Sequence, residues 1–204
     1  MTQIKDMILK EIDKVGIRDG ISETIVTTFS SNIANAAPMG IIRADKNIKI
    51  RIFKGSDTYN NILVNPFLTA NIIYDPLLYV VSTFSNLNPS EFRKKDYNNI
   101  AYYPLVSSVS FVLFECRNIQ EKISSLTADL IPLHYEINSN MIKAPNRGFF
   151  SVIESCIHGT RYQLTGSDKF LALIKKHENI VNKCGGTREK ESFELIYKYL
   201  ERTF

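Results

Sequence analysis

The chain has 204 residues, 44% hydrophobic and 23% charged, with a net charge of +4. This is the composition of an ordinary globular protein of one large domain, or of one domain with an appendage. The basic residues are scattered and the single cluster, "FRKKD" at 92–96, reads as a solvated loop, so no nucleic-acid partner is expected; no apolar run nears the ~20 residues of a membrane helix, so no membrane partner is expected either.

The N-terminal "MTQIKDMILKEIDKVG" is charged throughout, unlike a secretory signal, and Ile4, Met7, Ile8, Ile12 and Val15 mark one face of an amphipathic helix. Strands follow. "SETIVTTF" (22–29) is rich in β-branched residues, and "NIKIRIF" (47–53) alternates Ile48, Ile50 and Ile52 with Lys49, Arg51 and Phe53. "LTANIIY" (68–74), "LLYVVSTF" (77–84) and "VSSVSFVLFEC" (106–116) read as further strands, with Asp75-Pro76 as the joint between two of them. Short strands at turn spacing point to a barrel or sandwich. The polar and aromatic segment 85–104 is long enough to be a lid or binding loop.

The period then changes to helical. Phe149, Val152, Ile153, Cys156, Ile157 and Thr160 recur at helical spacing, as do Phe170, Leu173, Ile174, His177 and Val181, with Ser167 as a cap and Gly185 as a stop. A last helix carries Phe193, Ile196, Tyr197 and Leu200 inward. The expected organisation is a β domain with its N-terminal helix over 1–118 and a mostly helical region over 119–204. Cys116, Cys156 and Cys184 share no metal or disulfide spacing, so no metal site is expected and a reducing cytoplasm is.

Two stretches carry chemistry. In "FKGSDTYNNILVNP" (53–66) a strand ends in Lys54 and Gly55, and a short helix starts behind Ser56, Asp57 and Thr58. A helix start leaves about four N–H groups unpaired and carries a partial positive charge. The stretch fits a turn capped by Thr58 or Asp57 with Asn61 in the first turn, or else a cradle for an anion built from Lys54, Ser56, Thr58 and the free N–H groups. No Walker loop and no G-x-G-x-x-G occurs, which disfavours ATP and dinucleotide folds. In "NIANAAPMGII" (32–42), small residues and Pro38 let a flat ligand approach the backbone, or simply form a bulge at a barrel edge.

Taken in order, "ETIVTTFSSNIANAAPMGI", "IRIFKGSDTYNNI" and "FLTANIIYDPLLYV" resemble the FMN-binding split-barrel flavoproteins, and are most similar to an archaeal family of uncharacterised members. The resemblance covers about residues 20–116, and "RGFFSVIESCIHGTRYQL" is similar to the helix after the barrel. It implies a six-stranded antiparallel split β-barrel with a helical C-terminal region, forming a homodimer with FMN at the interface. The phosphate would meet Ser56, Thr58 and Asn61, supported by Lys54. The flat ring would lie along Asn35, Ala36, Ala37, Pro38, Met39 and Gly40, and Asn71 would face the ribityl chain or the ring. Two features depart from the pattern: "SSNIA" stands where a glycine turn is usual, and Asp57 and Asn60 replace residues that usually carry other charge. Asp57 should then cap the helix or point away from a phosphate.

Among the three histidines, His177 reads as a satisfied core residue, and none is expected in a barrel strand. Glu154, His158 and Arg161 share one helical face, either as an ion pair or with Arg161 reaching a phosphate or substrate anion. Tyr102 and Tyr103 would stack on a ligand or pack within their loop. No nucleophile–base constellation is present, which fits a flavin-dependent oxidoreductase in which the cofactor does the chemistry, fed by NAD(P)H or a redox partner. The alternatives are a flavin carrier or sensor without turnover, or a related barrel holding deazaflavin or haem.

Overall fold

The computed structural model describes residues 11–30, 33–140 and 146–201. Ile4, Met7 and Ile8 of the expected N-terminal helix face, and Ser31 and Asn32 of the "SSNIA" stretch, lie outside the described residues. Two compact units form. A barrel unit runs up to Tyr74 and from Leu87 through the last strand; a helical unit takes Asp75–Asn86 and the C-terminal helices.

In the barrel unit, residues 11–15 are helical (α1), followed by β1 (Gly20–Ser30), β2 (Ile33–Ala44), β3 (Asn47–Phe53), α2 (Asp57–Val64) and β4 (Phe67–Ile72). After α3 (Pro76–Phe84), which belongs to the helical unit, come the short hairpin β5 (Lys95–Tyr97) and β6 (Ile100–Tyr102), then β7 (Ser110–Glu121) and β8 (Ser125–Ile137). Six strands close an antiparallel barrel in the order β1-β2-β3-β8-β7-β4.

Alternation drives the closure. In β3, Ile48, Ile50 and Ile52 are buried while Lys49, Arg51 and Phe53 are exposed, as the sequence pattern requires. They meet Val26, Ile41, Leu68, Val112, Phe114, Leu126 and Leu130 inside the barrel, with Ile12 and Val15 from α1. Full burial of each such side chain contributes roughly 1.5–3 kcal/mol.

Three expectations need correction. First, "LLYVVSTF" is helix, not strand. Asp75 is the N-cap, its carboxylate accepting from the Leu77 N–H at 3.0 Å, and Pro76 sits in the first turn. An apolar run this continuous hides its period, whereas Asp-Pro states a helix start. Second, a boundary at 118 falls inside β7, and the whole of β8 lies beyond it. The sequence pattern hides β8 because Pro132 interrupts it; Pro132 pairs with Phe114 where the β7–β8 register shifts, the place a strand tolerates proline. Third, His134 stands on β8, so one histidine is in a barrel strand after all.

The 85–104 segment covers one outer face of the sheet. Its hairpin turns at Asn98 and Asn99, both at positive φ (50° and 64°), and Tyr102 packs on Phe111 and Leu113.

In the helical unit, α4 (Arg147–Thr165), α5 (Asp168–Cys184) and α6 (Thr187–Glu201) pack with α3 around Val80, Val152, Cys156, Ile174, Val181, Phe193, Ile196 and Leu200. Ser167 sits at the cap position of α5 but makes no side-chain capping bond. A Cβ on Gly148 would come within 2.7 Å of Gly185 Cα, so these two glycines permit a backbone contact between the start of α4 and the end of α5. Among the described residues no helix is long and apolar enough to cross a membrane.

Candidate functional site

β2 is paired along its length with β1, from Gly20↔Arg43 to Ser30↔Ile33, but its register with β3 covers only Ile41 to Ala44. Residues 33–40 therefore have one backbone edge without a β3 partner. This is the stretch with Asn35, Ala36, Ala37, Pro38, Met39 and Gly40, and Pro38 has no N–H to offer a neighbouring strand. Met39 is held from the β1 side, where Thr24 Oγ1 donates to its carbonyl at 3.0 Å.

α2 is fastened to the β1–β2 hairpin by three carboxamides. Asn35 Nδ2 donates to Thr58 Oγ1 at 3.1 Å, Asn61 Nδ2 to Thr28 Oγ1 at 3.0 Å, and Asn65 Nδ2 to the Phe29 carbonyl at 3.0 Å. Thr58 and Thr28 are buried (0% and 3% exposed), whereas Asn35 and Asn61 are only half-buried. Each of these two asparagines spends one N–H on a buried threonine and, among the described residues, keeps its second N–H and its side-chain carbonyl for something outside.

Ser56 is the N-cap of α2, in place of the Thr58 or Asp57 expected from sequence. Its hydroxyl accepts from the Tyr59 N–H at 3.2 Å and donates to the Phe53 carbonyl at 2.9 Å, so its proton is already spent. The Asn60 N–H donates to the Ser56 carbonyl at 3.2 Å, closing the first turn. Among the described residues that leaves the Asp57 and Thr58 N–H groups as the unspent donors of the helix start, the second of them on a buried residue. Asp57 itself is exposed.

Lys54 reaches Glu121 Oε2 at 3.2 Å and lies 6.0 Å from the Tyr59 ring centroid. The Tyr59 hydroxyl, donating to the same carboxylate at 2.8 Å, and then Lys54, hold Glu121 below the usual glutamate range. Lys54 is thus a cation with a partner, not an isolated one.

Asn71 is fully buried. Its Nδ2 lies 2.8 Å from the Ile25 carbonyl and 3.2 Å from that of Thr69, and its Oδ1 accepts from the Leu105 N–H at 2.9 Å. It ties β4 to β1 and pins the covering loop, so its polar atoms are occupied inside the unit. Tyr103 is stacked on Phe29 (4.2 Å, 25°), and its carbonyl accepts from Thr27 at 2.7 Å. Burial, then Glu136 and Asp96, push the Tyr102 phenol up to about 12, which removes it from proton transfer near neutrality.

A second cluster was not found by sequence reasoning. Lys95 Nζ donates to both oxygens of Glu136 (2.7 and 2.6 Å), His134 Nε2 is 3.3 Å from Glu136 Oε1, and Tyr97 stacks on the His134 ring at 4.9 Å. His134 and Glu136 share a face of β8 two residues apart; with β8 unassigned, that signal was unreadable.

In the helical unit, Arg161 is exposed on α4, and Cys156 is buried, its thiol pushed up to about 12 by burial, as expected of a core residue. His177 is not the satisfied core histidine expected: among the described residues its Nδ1 has no hydrogen-bond partner, and it lies beside His158 and Glu154.

A family model described as protein of unknown function (DUF447), N-terminal domain, matches residues 22–139, and one described as protein of unknown function (DUF447) matches residues 146–198. An uncharacterised protein of Methanocaldococcus jannaschii is 27% identical over 192 residues, covering 88% of this chain and 98% of its own length. Among solved structures, an FMN-bound protein from Methanosarcina mazei is 43% identical, with a TM-score of 0.88, covering 92% of this chain and 99% of that one. An FMN-binding protein from Thermus thermophilus with bound p-hydroxybenzaldehyde shares the fold at a TM-score of 0.50 and 10% identity, over 65% of this chain and 79% of that one. The barrel thus has the split-barrel fold that the sequence resembles.

Proposed function

The chain belongs to the DUF447 family of proteins of unknown function, and from that premise we propose that it is an FMN-binding flavoprotein acting as an oxidoreductase. One observation carries the reading: the 43%-identical M. mazei relative, matched over 92% of this chain, is FMN-bound. The residues present fit that cofactor. The β2 edge at 33–40 offers backbone without a β3 partner to the polar rim of a flat ring, and the first turn of α2 offers the Asp57 N–H and the positive end of the helix to a phosphate. Asn35 and Asn61 would present their free amide groups to it, with Thr58 and Thr28 fixing them from behind. Ser56 would act through the cap it makes, Lys54 through its charge, and Asn71 by holding β1 and β4 in place.

When bound, FMN supplies hydride and electron transfer, and the protein supplies position and field. The lack of a nucleophile–base constellation among the described residues supports this division. A homodimer with the flavin at its interface is part of the proposal, supported by exposed apolar side chains on the elements that carry the site: Ile33, Phe53, Leu63 and Val64. A cytoplasmic setting agrees with three free cysteines.

The test is the visible spectrum of purified protein, followed by NADH and NADPH under anaerobic conditions. A flavin spectrum bleached by either nucleotide supports a reductase. A flavin that neither nucleotide reduces points to a carrier or a partner-fed enzyme. A protein that neither carries nor takes up FMN refutes the whole reading.

A further inference from the structure

The geometry points to a divalent transition-metal site of the zinc type in the helical unit, held by Glu154 and His158 of α4 and His177 of α5. It is separate from the flavin reading and uses none of its residues.

Three observations converge. One ligand atom from each of the three side chains lies within 4.8 Å of the other two. Metal–nitrogen and metal–oxygen bonds of about 2.0–2.2 Å place tetrahedral ligands roughly 3.3–3.6 Å apart, so side-chain rotations that move the ligand atoms by about an ångström close the set. Glu154, exposed on α4, has the freedom to make that adjustment. Next, the Nδ1 atoms of both histidines are buried and lack any hydrogen-bond partner among the described residues. A buried polar atom left unmatched is costly, and here the two belong to neighbouring rings whose centroids are 5.6 Å apart. Last, the scaffold is fixed. Glu154 and His158 are one helical turn apart and project from one face. Gly166, in the left-handed conformation at φ 63°, ends α4 and lets α5 follow. Phe170 of α5 stacks against the His158 ring at 6.2 Å and walls one side.

The electrostatics suit a metal better than a proton. Burial, then the neighbouring His177, hold His158 below its usual pKa, which keeps the ring neutral and its lone pair available. Arg161, one turn further on, pushes the same way and would repel a cation, but it is exposed and screened. Two imidazoles with one carboxylate suit zinc, cobalt, nickel or ferrous iron better than calcium or magnesium. Three protein ligands leave at least one position for water, on the side where Glu154 meets solvent. Nothing in the cysteine pattern signals this site, because its ligands come from two helices and none is a cysteine.

The test is calorimetric titration of the metal-stripped full chain with Zn(II), and absorption spectroscopy with Co(II). One Zn(II) per chain is expected, with visible d–d bands for Co(II) and a higher melting temperature in Zn(II). Glu154→Gln changes an exposed side chain and keeps the fold. It should weaken Zn(II) roughly tenfold or more, since even losing a ligand's hydrogen-bonded support costs about 10–100-fold. His158→Gln and His177→Gln should abolish the Co(II) bands, with FMN content measured in parallel to confirm an intact barrel. No Zn(II) binding by the wild-type chain overturns the assignment. So does binding that all three variants keep unchanged, which would place the metal elsewhere.

Discussion

Replacing Thr58 by Val separates support from contact at the proposed flavin site. Thr58 is completely buried, so a ligand arriving from outside does not touch its hydroxyl; its visible task is to accept the Asn35 amide at 3.1 Å. Valine keeps the volume and removes the acceptor. A net hydrogen bond contributes about 0.5–1.5 kcal/mol, and the half-buried Asn35 N–H can turn to water, so the full cost of a buried unmatched donor is not incurred. Thermal stability should therefore fall by about 1 kcal/mol or less. FMN affinity should fall by about 0.5–1.5 kcal/mol, roughly two- to tenfold, because the Asn35 carboxamide is no longer held in one orientation. Thr58→Ser, which keeps the hydroxyl, should stay within about twofold of wild type. The assay is quenching of flavin fluorescence on titration, with a melt of each variant. Unchanged affinity in Thr58→Val refutes the role of Asn35, and a Thr58→Ser defect equal to that of Thr58→Val shows that packing, not the hydroxyl, is what matters.

Three other outcomes are expected. Sedimentation should give a species of twice the 23.3 kDa chain mass, and a stable monomer at micromolar concentration removes the interfacial flavin site. Burial raises the Glu136 pKa, but hydrogen bonds from Lys95 and His134 outweigh it and leave the carboxyl below its usual 4.5. A carboxylate lowered in the folded state adds stability above its unfolded pKa and loses it as pH falls below about 4.5. Melts across that range should show a shallower acid loss in Glu136→Gln; identical slopes would mean that this cluster does not stabilise the fold. Gly148→Ala should destabilise the helical unit by about 1–3 kcal/mol, since the new Cβ meets the Gly185 backbone at 2.7 Å, and an unchanged denaturation midpoint would show that the contact yields freely.

The barrel was legible where strands alternate or are β-branched. β3 matches its sequence bounds, 47–53, and its burial alternates residue by residue. Where periodicity is silent, the reading failed: α3 is too uniformly apolar to show a period, and β8 carries a proline at a bulge. At the site, the stretches 35–40 and 54–61 were visible as composition, and the structure joins them through Asn35 and Thr58. Sequence does not tell which hydroxyl is consumed as a cap, so Ser56 and Thr58 looked alike although one caps the helix and the other is buried beneath it. The Glu154–His158–His177 and Lys95–His134–Glu136 groupings depend on pairing between elements distant in sequence, which local spacing does not encode.

The most direct test of the flavin site is a parallel titration of flavin-free protein with FMN and with riboflavin, which differ only in the phosphate. The account predicts one FMN per chain and riboflavin at least about tenfold weaker, because a phosphate at the start of α2 gains charge-assisted bonds of roughly 1.5–3 kcal/mol that riboflavin lacks. Equal affinities would remove the phosphate from that turn, and no binding of either would contradict the account altogether.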